Sequence, residues 1–277
     1  YDNAQLVSLY AKGYLNTKNE LYKTVVFETL NFVKEELTTK NGAFYSSLDA
    51  DSKNKLGEKE EGAFYEWKVN ELEELLGTDF ALFKEFYNIN EYGLWENDKY
   101  VLIRNQSKEA FSKEQKIKLT TLNIKESRWK KVLKEARNKR SKPNLDDKIL
   151  TSWNALMMQG YVDAYSAFGT EEFLTTAVIN ANFLVKNQLR KDGGLNRNFK
   201  NGISTINAYA EDYATVIHAF ISLYEVTLDE KWLTTSKELM DYLFINFFDK
   251  KNKMFHFTSK KDDNLISRKY EVIDGVI

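Results

Sequence analysis

Residues 152–169 read SWNALMMQGYVDAYSAFG. The stretch reads as a helix over Asn154–Phe168 stopped by Gly169, and two other parts of the chain lie over it without a gap. One begins near Tyr1, at an offset of 151 residues, and the other near Glu211, at an offset of 59. Equivalent positions agree in type: Tyr10, Tyr161 and Phe220 coincide, as do Tyr14, Tyr165 and Tyr224. Ala4, Ala155 and Ala214 coincide near the start, where a small residue permits close approach of another helix. The first helices are expected over Asn3–Leu15, Asn154–Phe168 and Tyr213–Thr227.

Working outward, a short turn follows in each copy, marked by Asn16, Gly169 and Leu228. An aromatic then opens a second helical pattern: Tyr22 in Glu20–Leu37, Phe173 in Glu171–Leu189, Trp232 in Glu230–Phe247. Glu20, Glu171 and Glu230 sit in first turns, where the helix dipole favours negative charge. Each copy closes at a turn with Gly42, Gly193 and Asn252 aligned, residue types that tolerate the left-handed conformation. An apolar residue stands two positions later: Phe44, Leu195 and Met254.

One such helical hairpin cannot bury its apolar face alone, so neighbours must stack on it. The repeat therefore predicts an all-α fold, an (α/α) toroid of helical hairpins decorated by short β-hairpins. It is taken as one toroid domain over 1–277, with the ring incomplete in this chain. A fourth, irregular hairpin is expected in the interval between the first two copies. There, Ser46–Gly62 reads as a polar loop, Phe64–Trp67 as a short strand, and Val69–Leu76 and Asp79–Phe86 as short helices. Tyr92–Ile103 reads as a strand or hairpin, and Glu126–Arg140 as an amphipathic helix whose Lys130–Arg140 run faces solvent.

Composition narrows the function classes. A net charge of −1 over 277 residues gives no reason to expect nucleic acid or an anionic membrane as partner. No apolar run approaches the ~18 residues of a membrane span. The absence of Cys removes a thiol nucleophile, a disulfide framework and Cys-ligated zinc, and it fits a reducing, cytoplasmic setting. The chain starts at Tyr1 rather than Met, so the natural N-terminus is expected further upstream.

In a ring of hairpins the inner helices point one set of ends at a common cavity. Ahead of the three inner helices stand Tyr1-Asp2-Asn3, then Asp146-Asp147-Lys148 with Trp153-Asn154, then Glu211-Asp212-Tyr213. Any one of these could be helix capping, because Asp and Asn are favoured there. Three at equivalent places, with Trp and Tyr beside them, suit a small polar ligand or sugar. A fourth candidate is the acidic loop with Asp49 and Asp51, followed by Glu58, Glu60 and Glu61, which either is solvated or reaches the cavity. Its spacing resembles the start of a calcium loop, but Asn54 occupies the sixth position, where the sharp turn needs Gly, so no metal is expected. His218 is expected to be a satisfied core histidine, while His256 could face either way.

Four strings occur in order: Tyr1-Asp2-Asn3-Ala4-Gln5, Phe44-Tyr45-Ser46-x-x-Asp49-Ala50-Asp51-Ser52, Glu60-Glu61-Gly62-x-Phe64-Tyr65-x-Trp67, and Asp146-Asp147-Lys148-x-Leu150-Thr151-x-Trp153-Asn154. Together they resemble the thioredoxin-domain-containing proteins related to the spermatogenesis-associated thioredoxin-like protein of vertebrates. The resemblance implies a six-hairpin toroid of the N-acylglucosamine 2-epimerase and glycosidase type. It also implies an upstream thioredoxin-like domain and more hairpins downstream of a Glu-x-x-Asp stretch like Glu271–Asp274. The chain departs from the family in having Glu211-Asp212-Tyr213 for Asp-Asp-Tyr and an extra Lys53–Gly57 stretch.

The functional expectation is a toroid that binds a carbohydrate or polar metabolite, without a cofactor. Asp49, Asp51, Asp147 and Asp212 are the candidate catalytic carboxylates. Asp2, Asn3, Trp67, Asp146, Lys148, Trp153, Asn154, Glu211 and Tyr213 are the candidate ligand contacts. Glycosidase chemistry needs two carboxyls about 5–5.5 Å apart if retaining or about 6.5–9.5 Å if inverting, and epimerase chemistry would place His218 or His256 at the cavity. The alternative is a non-catalytic scaffold or peptide-binding module serving the upstream domain.

Overall fold

A computed structural model describes residues 1–262 and 267–271, so Asp274 of the Glu271–Asp274 stretch lies outside the described residues. Its helices are α1 (Asp2–Thr17), α2 (Glu20–Phe32), α3 (Val69–Leu76), α4 (Phe80–Phe86), α5 (Lys108–Glu114), α6 (Leu119–Arg137), α7 (Thr151–Phe168), α8 (Glu171–Asn187), α9 (Ala210–Thr227) and α10 (Glu230–Phe247). Where the sequence reading takes 1–277 as one domain, the chain groups into two compact units. One is Tyr1–Ser47 with Asp146–Ile277, and the other is Leu48–Leu145.

The first unit is the repeat. α1 packs on α7 and α7 on α9, while α2, α8 and α10 each lie on the helix that precedes them. This is the inner row and outer row of an (α/α) toroid, with three hairpins side by side among the described residues. Burial follows position. α1 buries one stripe, Ala4, Val7 and Ala11, whereas α7, packed on both sides, buries eleven residues from Thr151 to Ala164. Gly160 is what lets α1 and α7 approach: a Cβ there would stand 3.1 Å from the Ala4 carbonyl oxygen and 3.3 Å from Val7 Cγ1.

α1 and α7 are direct neighbours, so the interval of about 100 residues between the first two hairpins is not a fourth hairpin set between them. It is an insertion with its own core.

Two turns also depart from the residues expected to mark them, the first in keeping with the constant offset of 151 residues and the second against the offset of 59. Between the paired helices, the left-handed residue is Lys18 (φ 55°), not Asn16, in line with Gly169 (65°) and Leu228 (56°). Each donates its N–H to the carbonyl of a tyrosine four residues back, Tyr14, Tyr165 or Tyr224, at 2.7–2.8 Å. At the end of the third hairpin the turn is one residue longer. Thr38 pairs with Phe44 and Leu189 with Leu195, but Phe248 pairs with Phe255. Lys253 (φ 58°), not Asn252, therefore takes the place of Gly42 (79°) and Gly193 (82°). Phe255, not Met254, is the equivalent of Phe44 and Leu195, which is why Met254 is left exposed.

The second unit holds α3 to α6 around Trp67, Leu72, Phe83, Phe86, Phe111, Leu122 and Trp129. Asp51–Lys53 and Lys59–Glu61 form an antiparallel hairpin, and Trp67–Lys68 pairs with Lys99–Tyr100. Within Tyr92–Ile103, Leu94 pairs antiparallel with Tyr100, so of the strand or hairpin expected there the structure has a tight hairpin. The Lys130–Arg140 run is not wholly a solvent face. Arg137 lies over the Phe64 and Tyr65 rings at 5.2 and 5.3 Å, and Arg140 over Trp67 at 4.1 Å. Three buried carboxylates, Glu66, Asp79 and Glu126, are each matched by lysines.

Candidate functional site

The inner-helix starts of the first unit meet at one rim. The Tyr1 ring packs against Trp153 at 5.0 Å, joining the starts of α1 and α7. The Ser152 N–H donates to Asp212 Oδ1 at 3.0 Å, joining the starts of α7 and α9. A two-strand ladder, Ile149–Leu150 with Asn198–Phe199, carries the chain into α7 and places Arg197 beside it, where the Thr151 N–H donates to the Arg197 carbonyl at 2.8 Å.

Asp212 has no exposed surface. Besides Ser152, its carboxylate accepts from the Tyr209 N–H at 2.9 Å and from Arg197 Nη1 at 3.0 Å. Burial pushes this carboxyl up, to about 6, against the pull of Arg197 and of the Tyr209 N–H. Arg197 Nη1 also donates to Glu211 Oε1 at 2.5 Å, and its guanidinium lies over the Tyr209 ring at 4.6 Å. Asp147, half-exposed, pairs with Lys200 at 2.5 Å, and that hydrogen bond holds its carboxyl below the usual range. Asp146 pairs with Lys148 at 3.0 Å, both partly exposed. Asp2 is exposed and Asn3 half-buried at the start of α1.

Two candidate contacts are taken up by the fold. Asn154 is buried, and its amide accepts from the Phe44 N–H and donates to the carbonyls of Phe44 and Leu150. Tyr213 is buried against Tyr242 and Phe247, and its hydroxyl oxygen accepts the Leu195 N–H at 2.8 Å. Neither presents a free polar atom to a ligand in this arrangement.

Asp49, Asp51 and Trp67 belong to the second unit. Asp49 is exposed, and its Oδ1 accepts from the Asp51 N–H at 3.3 Å; Asp51 stands opposite Glu61 in the hairpin. Glu60 is held by Lys99, which also binds buried Glu66 at 2.5 Å. Trp67 is 3% exposed and carries Arg140 on one face.

His218 is exposed on α9 rather than buried in the core. His256 stacks on Tyr270 at 4.5 Å, with Nε2 3.9 Å from Asp249. Among the described residues no group of three or more His, Cys, Asp or Glu is arranged to hold a metal ion. No described helix is long and apolar enough to cross a membrane. Arg197 is the rim residue that sequence reasoning missed. It sits at the repeat position of Ser46, and only its charge close to the acidic rim motifs could have marked it.

Fold and rim together define an all-α hairpin array of the (α/α)-toroid class with polar inner-helix starts. The chain is homologous to the proteins named spermatogenesis-associated protein 20. It is 29% identical over 270 residues to the one from Mus musculus, covering 87% of this chain and 34% of that protein. An uncharacterized Caenorhabditis elegans protein is 28% identical over 303 residues, covering 99% of this chain and 41% of its own length. The chain thus spans about a third of the length of the curated mouse relative it matches. No family model matches it. Among solved structures it is similar to the cellobiose 2-epimerase from Bacillus thermoamylovorans, with 16% identity, a TM-score of 0.38, and coverage of 92% of this chain and 78% of that one.

Proposed function

We propose that the rim of the first unit binds a carbohydrate or a comparable small polar metabolite. The observation that carries this reading is the Ser152–Asp212 bond, which holds an aromatic pair, Tyr1 and Trp153, on the same rim as the Arg197–Glu211 ion pair. An aromatic face packs on the C–H face of a sugar ring, while a guanidinium and a carboxylate offer donors and acceptors to its hydroxyls. Trp153, Glu211, Arg197 and Asp147 are the contacts, with Asp2, Asn3, Asp146 and Lys148 around them. Asp212 serves as a positioning residue, because three donors already occupy its oxygens.

If the rim is catalytic, in a glycosidase- or epimerase-like sense, Glu211 and Asp147 are the acid and base. A sugar panel titrated against the protein, followed by Trp indole NMR signals, tests the binding. Binding should shift the Trp153 signal; Glu211→Gln should weaken it at least tenfold in that readout, and Trp153→Ala at least tenfold by calorimetry, with the fold unchanged. Affinity that survives both substitutions would sink the assignment. Product formation from a bound sugar, lost in Glu211→Gln, would establish the catalytic version.

The second reading is a non-catalytic scaffold for an upstream thioredoxin-like domain. The use of Asn154, Asp212 and Tyr213 by the fold itself favours it. A panel in which no sugar binds, together with tight association of this chain with such a domain, would decide for it.

A further inference from the structure

The second unit contains a cleft of 240 Å³ that the rim reading does not use. Its apolar lining is Trp67, Phe83, Tyr87, Leu102 and Leu133, and its cationic lining is Lys130, Lys134 and Arg137. Phe83 and Trp67 are buried core residues, so the wall is rigid, and the lysines and arginine all come from one helix, α6. Cations three, four and seven residues apart share a face of a helix, which sets a band of positive charge along an aromatic wall.

A second observation points to an anion. Arg137 Nε is buried and has no acceptor among the described residues, although the guanidinium is held over Phe64 and Tyr65. A buried N–H without a partner is costly, and an oxygen supplied from the cleft would relieve it. The buried carboxylate at this end, Glu126, takes up part of the Lys130 charge at 3.2 Å, but it faces Lys108 and Arg104 as well, so three cations stand against one carboxylate there.

We propose that this cleft is a binding site for a small aromatic anion, a one- or two-ring compound carrying a carboxylate, sulfonate or phosphate group. The ring packs against Leu102 and the accessible edges of Trp67 and Tyr87, and the anionic group meets Arg137 and the α6 lysines. The volume lies just under the usual range for drug-sized ligands, about 300–1,000 Å³, and so favours a ligand of this size.

The probe is 2-naphthoate, compared with the uncharged 2-naphthamide, titrated into the whole chain with indole NMR signals as readout. The expected result is a shift of the Trp67 indole signal with the Trp153 and Trp232 signals unmoved. The amide should bind at least tenfold more weakly than the acid, and 0.5 M salt should weaken the acid alone. Arg137→Lys, which keeps the charge but not the Nε donor, and Arg137→Leu should weaken binding progressively, with thermal melts confirming the fold. No binding, equal binding of acid and amide, or shifts spread over all the tryptophans would overturn the proposal. Because Trp153 reports the rim and Trp67 the cleft, failure here is distinguishable from failure of the sugar reading.

Discussion

Asn154 grips Phe44 by both polar groups of its backbone: Oδ1 accepts the Phe44 N–H at 2.8 Å and Nδ2 donates to the Phe44 carbonyl at 3.0 Å. The two residues lie 110 positions apart, and the contact clamps the end of the first hairpin to the start of the second. Tyr213, at the equivalent place one hairpin on, accepts the N–H of Leu195, the residue equivalent to Phe44. The start of each following inner helix therefore locks the end of the hairpin before it, by two different side chains with one function.

Removing the clamp should cost stability. Asn154→Ala strands the Phe44 N–H and carbonyl in a buried place and takes from the Asn180 amide one of its two acceptors, and is expected to destabilise by about 3 kcal/mol. Tyr213→Phe removes one acceptor and should cost about 1–2 kcal/mol. Urea unfolding of the two variants measures both, and equal or negligible losses would contradict the clamp.

Close packing of α1 on α7 makes a second prediction. A Cβ at Gly160 would already press on the Ala4 carbonyl, so Gly160→Val should destabilise by about 2–3 kcal/mol and Gly160→Ala by less. Thermal melts check both, and variants more stable than the native chain would mean that helix propensity outweighs the contact.

The longer third turn gives a test of register. Lys253 holds a left-handed backbone that glycine adopts without a Cβ penalty, so Lys253→Gly should stabilise by about 0.5–1 kcal/mol. Asn252→Gly should give no such gain, because Asn252 is not in that conformation. The opposite pattern in denaturation midpoints would restore the ungapped alignment.

The raised carboxyl of Asp212 gives the pH test. A group whose folded-state value is raised stabilises the fold while protonated. Its contribution is full below the ordinary value of 3.8 and is lost as pH rises through about 6. Stability of the native chain relative to Asp212→Asn should therefore fall between pH 4 and pH 7, by up to about 3 kcal/mol for a shift of this size. Unfolding measured on both proteins across that window checks it. A relative stability that rises with pH would mean that the Arg197 guanidinium outweighs burial.

The hairpin repeat was legible because its determinants are local. Periodic apolar residues, acids in first turns and turn-forming residues recur at fixed spacing, and each acts within a few positions of itself. The helices over 151–168 and 210–227 were visible for that reason, and so was the gathering of polar motifs at one end of the inner helices. The longer third turn was not, since Lys253 adopts a conformation that residue type alone assigns to Asn or Gly; Lys18 does the same, although the offset of 151 residues sets it level with Gly169.

The chain by itself thus determined the hairpins, their order and the end of each inner helix that is polar. Only tertiary structure decided that α1 and α7 touch across an insertion of about 100 residues. It also decided that Asn154, Asp212 and Tyr213 spend their polar atoms on the fold, and that Arg197 joins Glu211 at the rim. The reason is physical: a polar residue at a helix start reads the same whether it faces a ligand or a neighbouring backbone, and only packing supplies the partner.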